Sequence, residues 1–286
     1  MNYTRELEIS KKAAVLAGGA IMEVYGAEDF ADGFKVEYKE DNSPLTEADR
    51  RANDIIVNIL KKEFPEYAIL AEESADDKKR LENDYCFIVD PLDGTKEFIK
   101  RNGQFTVNIA LAYKHKPVMG VIYVPVTREL YYAAAGGGSW YKADGGSCYA
   151  AGGGHWHEAD GDSWHEAGGH APVKLKVSDK TDELTMVMSS SHGCARTDEL
   201  IKKRNIKNHI KMGSSLKGCL IAKGDAEVYY RLGPTMEWDT AAMQCIAEQA
   251  GAIFRQTDGT EMLYNRENSL NDKGFFILNR MENRLF

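Results

Sequence analysis

Residues 85–94, Tyr-Cys-Phe-Ile-Val-Asp-Pro-Leu-Asp-Gly, constrain this chain more than any other stretch. An apolar strand, Tyr85–Val89, runs straight into two aspartates. Pro91 cannot continue a ladder, and Gly94 permits a tight turn. The chain therefore reverses with the Asp90 and Asp93 carboxylates close together and the Leu92 carbonyl free as a further oxygen ligand. Carboxylates held that way repel unless a proton or a cation lies between them. Hard divalent ions such as Mg²⁺ take carboxylate and carbonyl oxygens. A solvated Asx-type turn accounts for one aspartate, but not for both together with Glu72, after the strand Tyr67–Ala71, and Asp239, at the head of a helix over Asp239–Ala250. Such a cluster suits metal-dependent phosphoester hydrolysis.

Around these residues the apolar periodicity lays out the elements. Residues 4–25 and 46–64 read as amphipathic helices, the second capped by Thr46 and stopped by Pro65. Phe105–Tyr113, Val118–Val124 and Leu130–Ala134 are alternating or wholly apolar runs with short connections, as in an antiparallel sheet. The second half reads as a strand Leu184–Met188, a helix Thr197–Arg204, a helix from Gly213 to Ala222, strands Ala226–Arg231 and Phe275–Leu278, and the helix closed by Gly251. We expect an N-terminal lobe over 1–180 and a C-terminal lobe over 181–286, with the acidic residues facing the seam.

A net charge of −8 argues against a general nucleic-acid or anionic-membrane binder. It leaves room for an anionic small substrate, because bound metal ions reverse the local field. The five cysteines show no paired metal spacing, and an odd count without a framework suits a reducing compartment. Met1 to Gly18 lacks the apolar core of a signal peptide, and no run approaches a membrane span. The expected location is the cytoplasm, with peripheral attachment at the inner membrane left open.

Residues 138–169 divide into four consecutive octads, from Gly-Ser-Trp-Tyr-Lys-Ala-Asp-Gly to Asp-Ser-Trp-His-Glu-Ala-Gly-Gly. Their glycine content argues against a packed helix. One reading is an expanded hairpin tip, since longer loops cost little extra closure entropy. The other notes that four of the seven histidines (His155, His157, His165 and, directly after the octads, His170) gather here beside Glu158 and Glu166, a composition able to bind Zn²⁺, Ni²⁺ or Cu²⁺. The passive loop is the preferred reading.

Further polar residues are candidates for the site. Asp49 stands three residues after Thr46 in a capping-box position; its functional reading is a base that acts with Thr95 on the attacking water. Gly213-Ser214-Ser215-Leu216-Lys217 opens a helix whose free N–H groups suit an anion, with Lys217 as a phosphate partner. Ser189-Ser190-Ser191-His192, at the end of a strand, is a second polar cluster for the same cleft.

Asp90-Pro91-Leu92-Asp93-Gly94-Thr95-Lys96-Glu97-Phe98, with Leu70-Ala71-Glu72-Glu73 before it and Trp238-Asp239-Thr240-Ala241-Ala242 after it, resembles the inositol monophosphatase superfamily. Within that superfamily the chain is similar to the bacterial 3'(2'),5'-bisphosphate nucleotidases, on Asp41-Asn42-Ser43-Pro44, Lys96 through Ala110, Gly213 through Lys217 and Arg231 through Thr235. The octad region departs from the pattern, which has only a short hairpin turn there. The resemblance implies an α+β fold, a layered αβαβα sandwich. It also implies removal of the 3'-phosphate of adenosine 3',5'-bisphosphate to give AMP, with the sulphated nucleotide as a second substrate, and inhibition by Li⁺. By the same pattern Glu72, Asp90, the Leu92 carbonyl, Asp93 and Asp239 hold up to three Mg²⁺. Asp49 and Thr95 activate water, Gly94 and Thr95 meet the scissile phosphate, and Ser189, His192, Gly213 and Lys217 hold the nucleotide. Two rivals remain. One is an inositol or sugar monophosphatase of the same superfamily; the other is a non-catalytic protein that senses nucleotide or sequesters metal. The oligomeric state is left open between monomer and homodimer.

Overall fold

The structure, a computed structural model, describes residues 2–27, 37–38, 44–143, 171–191 and 195–286. His192 and the repeats beyond Ala143, with their histidines, lie outside the described residues.

Helix α1 (Thr4–Gly26) is followed by the short antiparallel pair β1 (Glu37–Tyr38) and β2 (Pro44–Leu45), then α2 (Glu47–Glu63). Next come β3 (Ala68–Ala71), β4 (Tyr85–Asp93), α3 (Thr95–Ile99), β5 (Thr106–Tyr113), β6 (Lys116–Val124), β7 (Glu129–Ala134), β8 (Gly138–Ala143) and β9 (Val173–Lys174). These strands form one seven-stranded sheet in sequence order, parallel only between β3 and β4. The remainder is β10 (Thr185–Ser189), α4 (Ala195–Lys203), β11 (Asn208–Met212), α5 (Leu216–Lys223), β12 (Val228–Arg231), β13 (Thr235–Met236), α6 (Glu237–Gln249), β14 (Ile253–Gln256), β15 (Leu270–Asn271) and β16 (Phe275–Leu278). A five-stranded sheet takes the order β11-β10-β12-β16-β14, and β13 pairs with β15 apart from it.

Both large sheets are covered on two faces, which explains their largely apolar central strands. Phe87 and Val89 of β4, with Val107, Ile109 and Leu111 of β5, join the cluster under α1 and α2. The alternate residues Cys86, Ile88, Ala110 and Ala112 face the other way, into the cluster with α5 and α6. The second sheet repeats the alternation. Tyr229, Phe275 and Ile277 point at α5 and α6, while Val228, Tyr230, Phe276 and Leu278 face outward to Leu200 and Ile201 of α4. Each such large side chain contributes about 1.5–3 kcal/mol when fully buried. The layers thus run α1/α2, sheet, α5/α6, sheet, α4, which is the expected αβαβα sandwich. Close approach makes the middle layer fit: a Cβ on Gly120 of β6 would lie 2.6 Å from the Ala242 carbonyl of α6.

Several boundaries differ from expectation. Strand β4 runs on to Asp93 instead of ending at Val89. Asp90 pairs with Asn108 and Asp93 with Thr106, so one extra residue is absorbed as a bulge at Pro91-Leu92. The first octad is not loop, because 138–143 forms β8, and the rest of the repeat enters between β8 and its neighbour β9. Strands β11 and β14 had no clear apolar signal. Helix α5 starts at Leu216, not Gly213, and α6 at Glu237, two residues before Asp239.

Candidate active site

The β4 bulge brings Asp90 and Asp93 to one side, and the first turn of α6 delivers Asp239 against them. One carboxylate oxygen from each lies within 4.8 Å of the others. Glu72, just after β3, is hydrogen-bonded to Asp90 and adds its field to Asp90 and Asp239. Burial, then Glu72, Asp93 and Asp239, pushes the Asp90 carboxyl well above its ordinary value. Burial, then Asp93, raises Asp239, which the Met236 N–H opposes. Asp90 is 2% exposed. Carboxylates crowded this way, with such strained ionisation, fit a hard divalent cation better than they fit one another.

The surrounding hydrogen bonds orient these carboxylates. Asp93 Oδ2 accepts from the Ser215 N–H at 2.6 Å and from Asn108 Nδ2 at 3.1 Å, with the Ser215 hydroxyl also 2.6 Å away. That hydroxyl lies 3.0 Å from the Asp239 carbonyl. Asp239 Oδ2 accepts from the Met236 N–H at 2.7 Å, a helix cap that leaves Oδ1 for another ligand. Asp90 Oδ1 accepts from the Leu92 N–H at 3.1 Å. Gly94, with a left-handed φ of 93°, turns the chain into α3. Thr95 Oγ1 then sits 3.3 Å from Asp49 Oδ1 and 3.4 Å from the Leu92 carbonyl. Asp49 itself is buried, its Oδ2 accepting from the Thr46 N–H at 2.8 Å as the capping-box reading requires.

Glu72, Asp93, Asp239, Gly94 and Thr95 all line one cleft of about 300 Å³. Ser189, at the end of β10, and Lys217 line it from the other side. Lys217 is buried, gives its ammonium to the Ser214 carbonyl and stands 5.8 Å from the Tyr229 ring centre. Burial holds that ammonium below its usual value, and Asp93 opposes the shift. Gly213 plays another part than an open anion cradle: its N–H is donated to Gln104 Oε1 at 2.9 Å. Four residues of the site were given no role of their own from sequence. Ser215, Asn108 and Thr106 hold Asp93. Arg231 lines the cleft with a buried Nε that has no hydrogen-bond partner among the described residues. Thr106 and Asn108 carried a signal, as polar residues at alternate positions of an apolar strand; Ser215 stood in the Gly213–Lys217 motif only as part of a helix start, and Arg231 only in a stretch that carried the family resemblance.

The comparisons with known proteins identify the family. The model of the inositol monophosphatase family matches residues 2–282. The chain is 38% identical over 262 residues to a Salmonella typhimurium protein called 3'(2'),5'-bisphosphate nucleotidase CysQ, covering 91% of this chain and 94% of that protein. The same figures hold for the protein of that name from Escherichia coli K12. Among solved structures, CysQ from Bacteroides thetaiotaomicron superposes with a TM-score of 0.78 at 40% identity, covering 97% of this chain and 98% of that one. The inositol monophosphatase from Anabaena, at 22% identity and a TM-score of 0.70, shows the shared fold alone. With nearly its whole length matched, the chain belongs to the inositol monophosphatase family.

Proposed function

We propose that this chain is a Mg²⁺-dependent 3'(2'),5'-bisphosphate nucleotidase that hydrolyses the 3'-phosphate of adenosine 3',5'-bisphosphate to AMP and phosphate. The sulphated form of the nucleotide is a second substrate. The relatives that match over most of the chain carry that name. The observation that carries the choice of a bisphosphate is the pairing, in one cleft, of the acidic cluster with two cationic side chains, Lys217 and Arg231. A monophosphate of a neutral sugar offers one anionic centre. A nucleotide with a second phosphate gives the buried Lys217 and the unsatisfied Arg231 Nε an anion of their own.

Glu72, Asp90, Asp93, Asp239 and the Leu92 carbonyl would hold up to three Mg²⁺. Ions bound there would supply a lowered pKa for a bound water and a counter-charge for the leaving oxygen. The protein's own groups do the rest. The Thr95 hydroxyl gives its proton toward Asp49 Oδ1, which leaves an Oγ1 lone pair to accept from the attacking water. The negative charge that draws the proton away belongs to Asp49. Water adds to phosphorus as the bond to the 3'-oxygen breaks; the water's proton passes by way of Thr95 to Asp49, and the leaving 3'-oxygen takes up a proton from solvent to become the 3'-hydroxyl of AMP. Gly94 and Thr95 flank the phosphate, while Ser189, His192 and Lys217 hold the nucleotide. The buried free thiols Cys86, Cys219 and Cys245 favour a reducing compartment, hence the cytoplasm. No described helix is long and apolar enough to cross a membrane.

Phosphate release from adenosine 3',5'-bisphosphate and from inositol 1-phosphate, measured side by side at equal Mg²⁺, tests the substrate. The bisphosphate should give the higher kcat/KM; preference for the inositol phosphate would reassign the chain to the other branch of its family.

A further inference from the structure

Glu72 follows β3 of the seven-stranded sheet, whereas Asp239 stands in the first turn of α6. Their separation depends on how the segment after Glu72 is fastened to the start of α6. Arg80, which does not line the cleft, makes that fastening. It is 4% exposed. Its Nε and Nη2 grip Asp76 Oδ1 and Oδ2 at 3.0 and 2.9 Å, which folds the segment after Glu72 around the guanidinium. Nη1 donates to Asn265 Oδ1 at 2.8 Å, and Nη2 also to the Arg266 carbonyl at 2.9 Å, both more than 180 positions along the chain. Asn265 Nδ2 answers with bonds to the Arg80 and Asn83 carbonyls at 3.0 and 3.2 Å.

From there the contact continues into α6. The Asn265 and Arg266 N–H groups donate to Glu237 Oε2 and Oε1 at 2.6 and 3.1 Å, and Arg266 Nε adds a bond to Oε1 at 3.1 Å. The Glu237 N–H donates to the Ser269 carbonyl at 3.0 Å. Glu237, fully buried, is the first residue of α6, two before Asp239. Buried ion pairs of this kind add little net stability, because desolvation offsets attraction. What directional, mutually satisfied bonds do provide is a fixed geometry.

We propose that Arg80 is a positioning residue for the metal centre: through Asn265, Arg266 and Glu237 it sets Asp239 against Glu72. The inference rests on the reading of Glu72 and Asp239 as metal ligands. Its test is the binding of Mn²⁺ alone, followed by electron paramagnetic resonance without substrate, together with the thermal midpoint of the metal-free protein. Two variants cut the link from opposite ends. In Arg80→Lys one ammonium cannot hold Asp76 and Asn265 at once. In Asn265→Gly the side chain goes while the left-handed φ of 55° is kept without strain. Both variants should unfold cooperatively and bind Mn²⁺ about tenfold more weakly than wild type, as for partners that orient metal ligands; their activity should recover at high Mn²⁺. Wild-type Mn²⁺ affinity in the variants, whether or not the thermal midpoint falls, makes Arg80 merely structural and overturns the inference. If Arg80→Lys does not fold, Asn265→Gly decides by the same readouts. A wild type that binds no Mn²⁺ is a separate failure, that of the metal ligands themselves.

Discussion

At Asp90 the needs of chemistry and of stability pull apart. Its carboxyl is raised by burial and by Glu72, Asp93 and Asp239, so in the metal-free protein the charge is a burden. Asp90→Asn keeps an oxygen for the Leu92 N–H and removes that charge. We expect turnover to fall by several kcal/mol of barrier, about a thousandfold or more. The metal-free protein should meanwhile become more stable by about 1–2 kcal/mol, seen in denaturant unfolding. A variant with near wild-type kcat would contradict the ligand assignment. The sign of the pH dependence follows from the same shifts. Asp239 is pushed from 3.8 up to about 7, so the folded metal-free state binds protons that the unfolded chain has released. That contribution is whole below 3.8 and is lost as pH climbs through about 7. The rise in Tm on adding Mg²⁺ should therefore be larger near about pH 8 than near about pH 5; equal rises would show that the carboxylates do not exchange protons for metal. Lys217→Ala should raise KM for the nucleotide about tenfold with kcat little changed, and an unchanged KM would remove Lys217 from the binding wall. The acidic residues were legible because aspartates flanking a proline at the end of an apolar strand have few other uses. Ser215 was not, since it meets Asp93 across 122 positions of chain.

The elements that sequence revealed best are those buried on both faces, because mainly apolar runs such as Phe105–Tyr113 admit few other readings. Strand β11, Asn-His-Ile-Lys-Met, is an edge strand with mostly polar side chains, so its pairing with β10 left little trace. The start of α5 shifted for a local reason. Ser214 takes a left-handed φ of 46°, and the Ser215 N–H goes to Asp93, so the helix begins only at Leu216. The expected cradle of free N–H groups at Gly213 is thus replaced by a strut that holds Asp93. Helix α6 depends on contact with β6. Gly120→Ala would place a methyl 2.6 Å from the Ala242 carbonyl, a backbone atom that cannot turn aside. We expect a loss of about 1–3 kcal/mol in urea unfolding, with weaker metal binding as α6 lifts; an unaffected midpoint would mean that the two layers can part without cost.

At the scale of the molecule, two sheets clasp one pair of helices, and the cleft opens where β3, β4, β10 and α6 end or begin. The five layers followed from family resemblance alone. Periodicity alone did not place α5 and α6 between the sheets, because an amphipathic stripe says that a helix packs, not against which sheet. The repeats enter between β8 and β9, at the opposite edge of the seven-stranded sheet from β3. Deleting residues 146–169 should therefore leave kcat and KM within about twofold, the scale of changes away from a site. A large loss would give the repeats a catalytic role. The central claim is that Glu72, Asp90, Asp93 and Asp239 form one metal centre acting on a nucleotide's 3'-phosphate. Its most direct measurement is phosphate release from adenosine 3',5'-bisphosphate as Mg²⁺ is titrated into the metal-free wild type and Asp90→Asn. The account predicts saturable activation of the wild type, abolished by chelator, and almost none in the variant; release without Mg²⁺, or equal activation of both proteins, would contradict it.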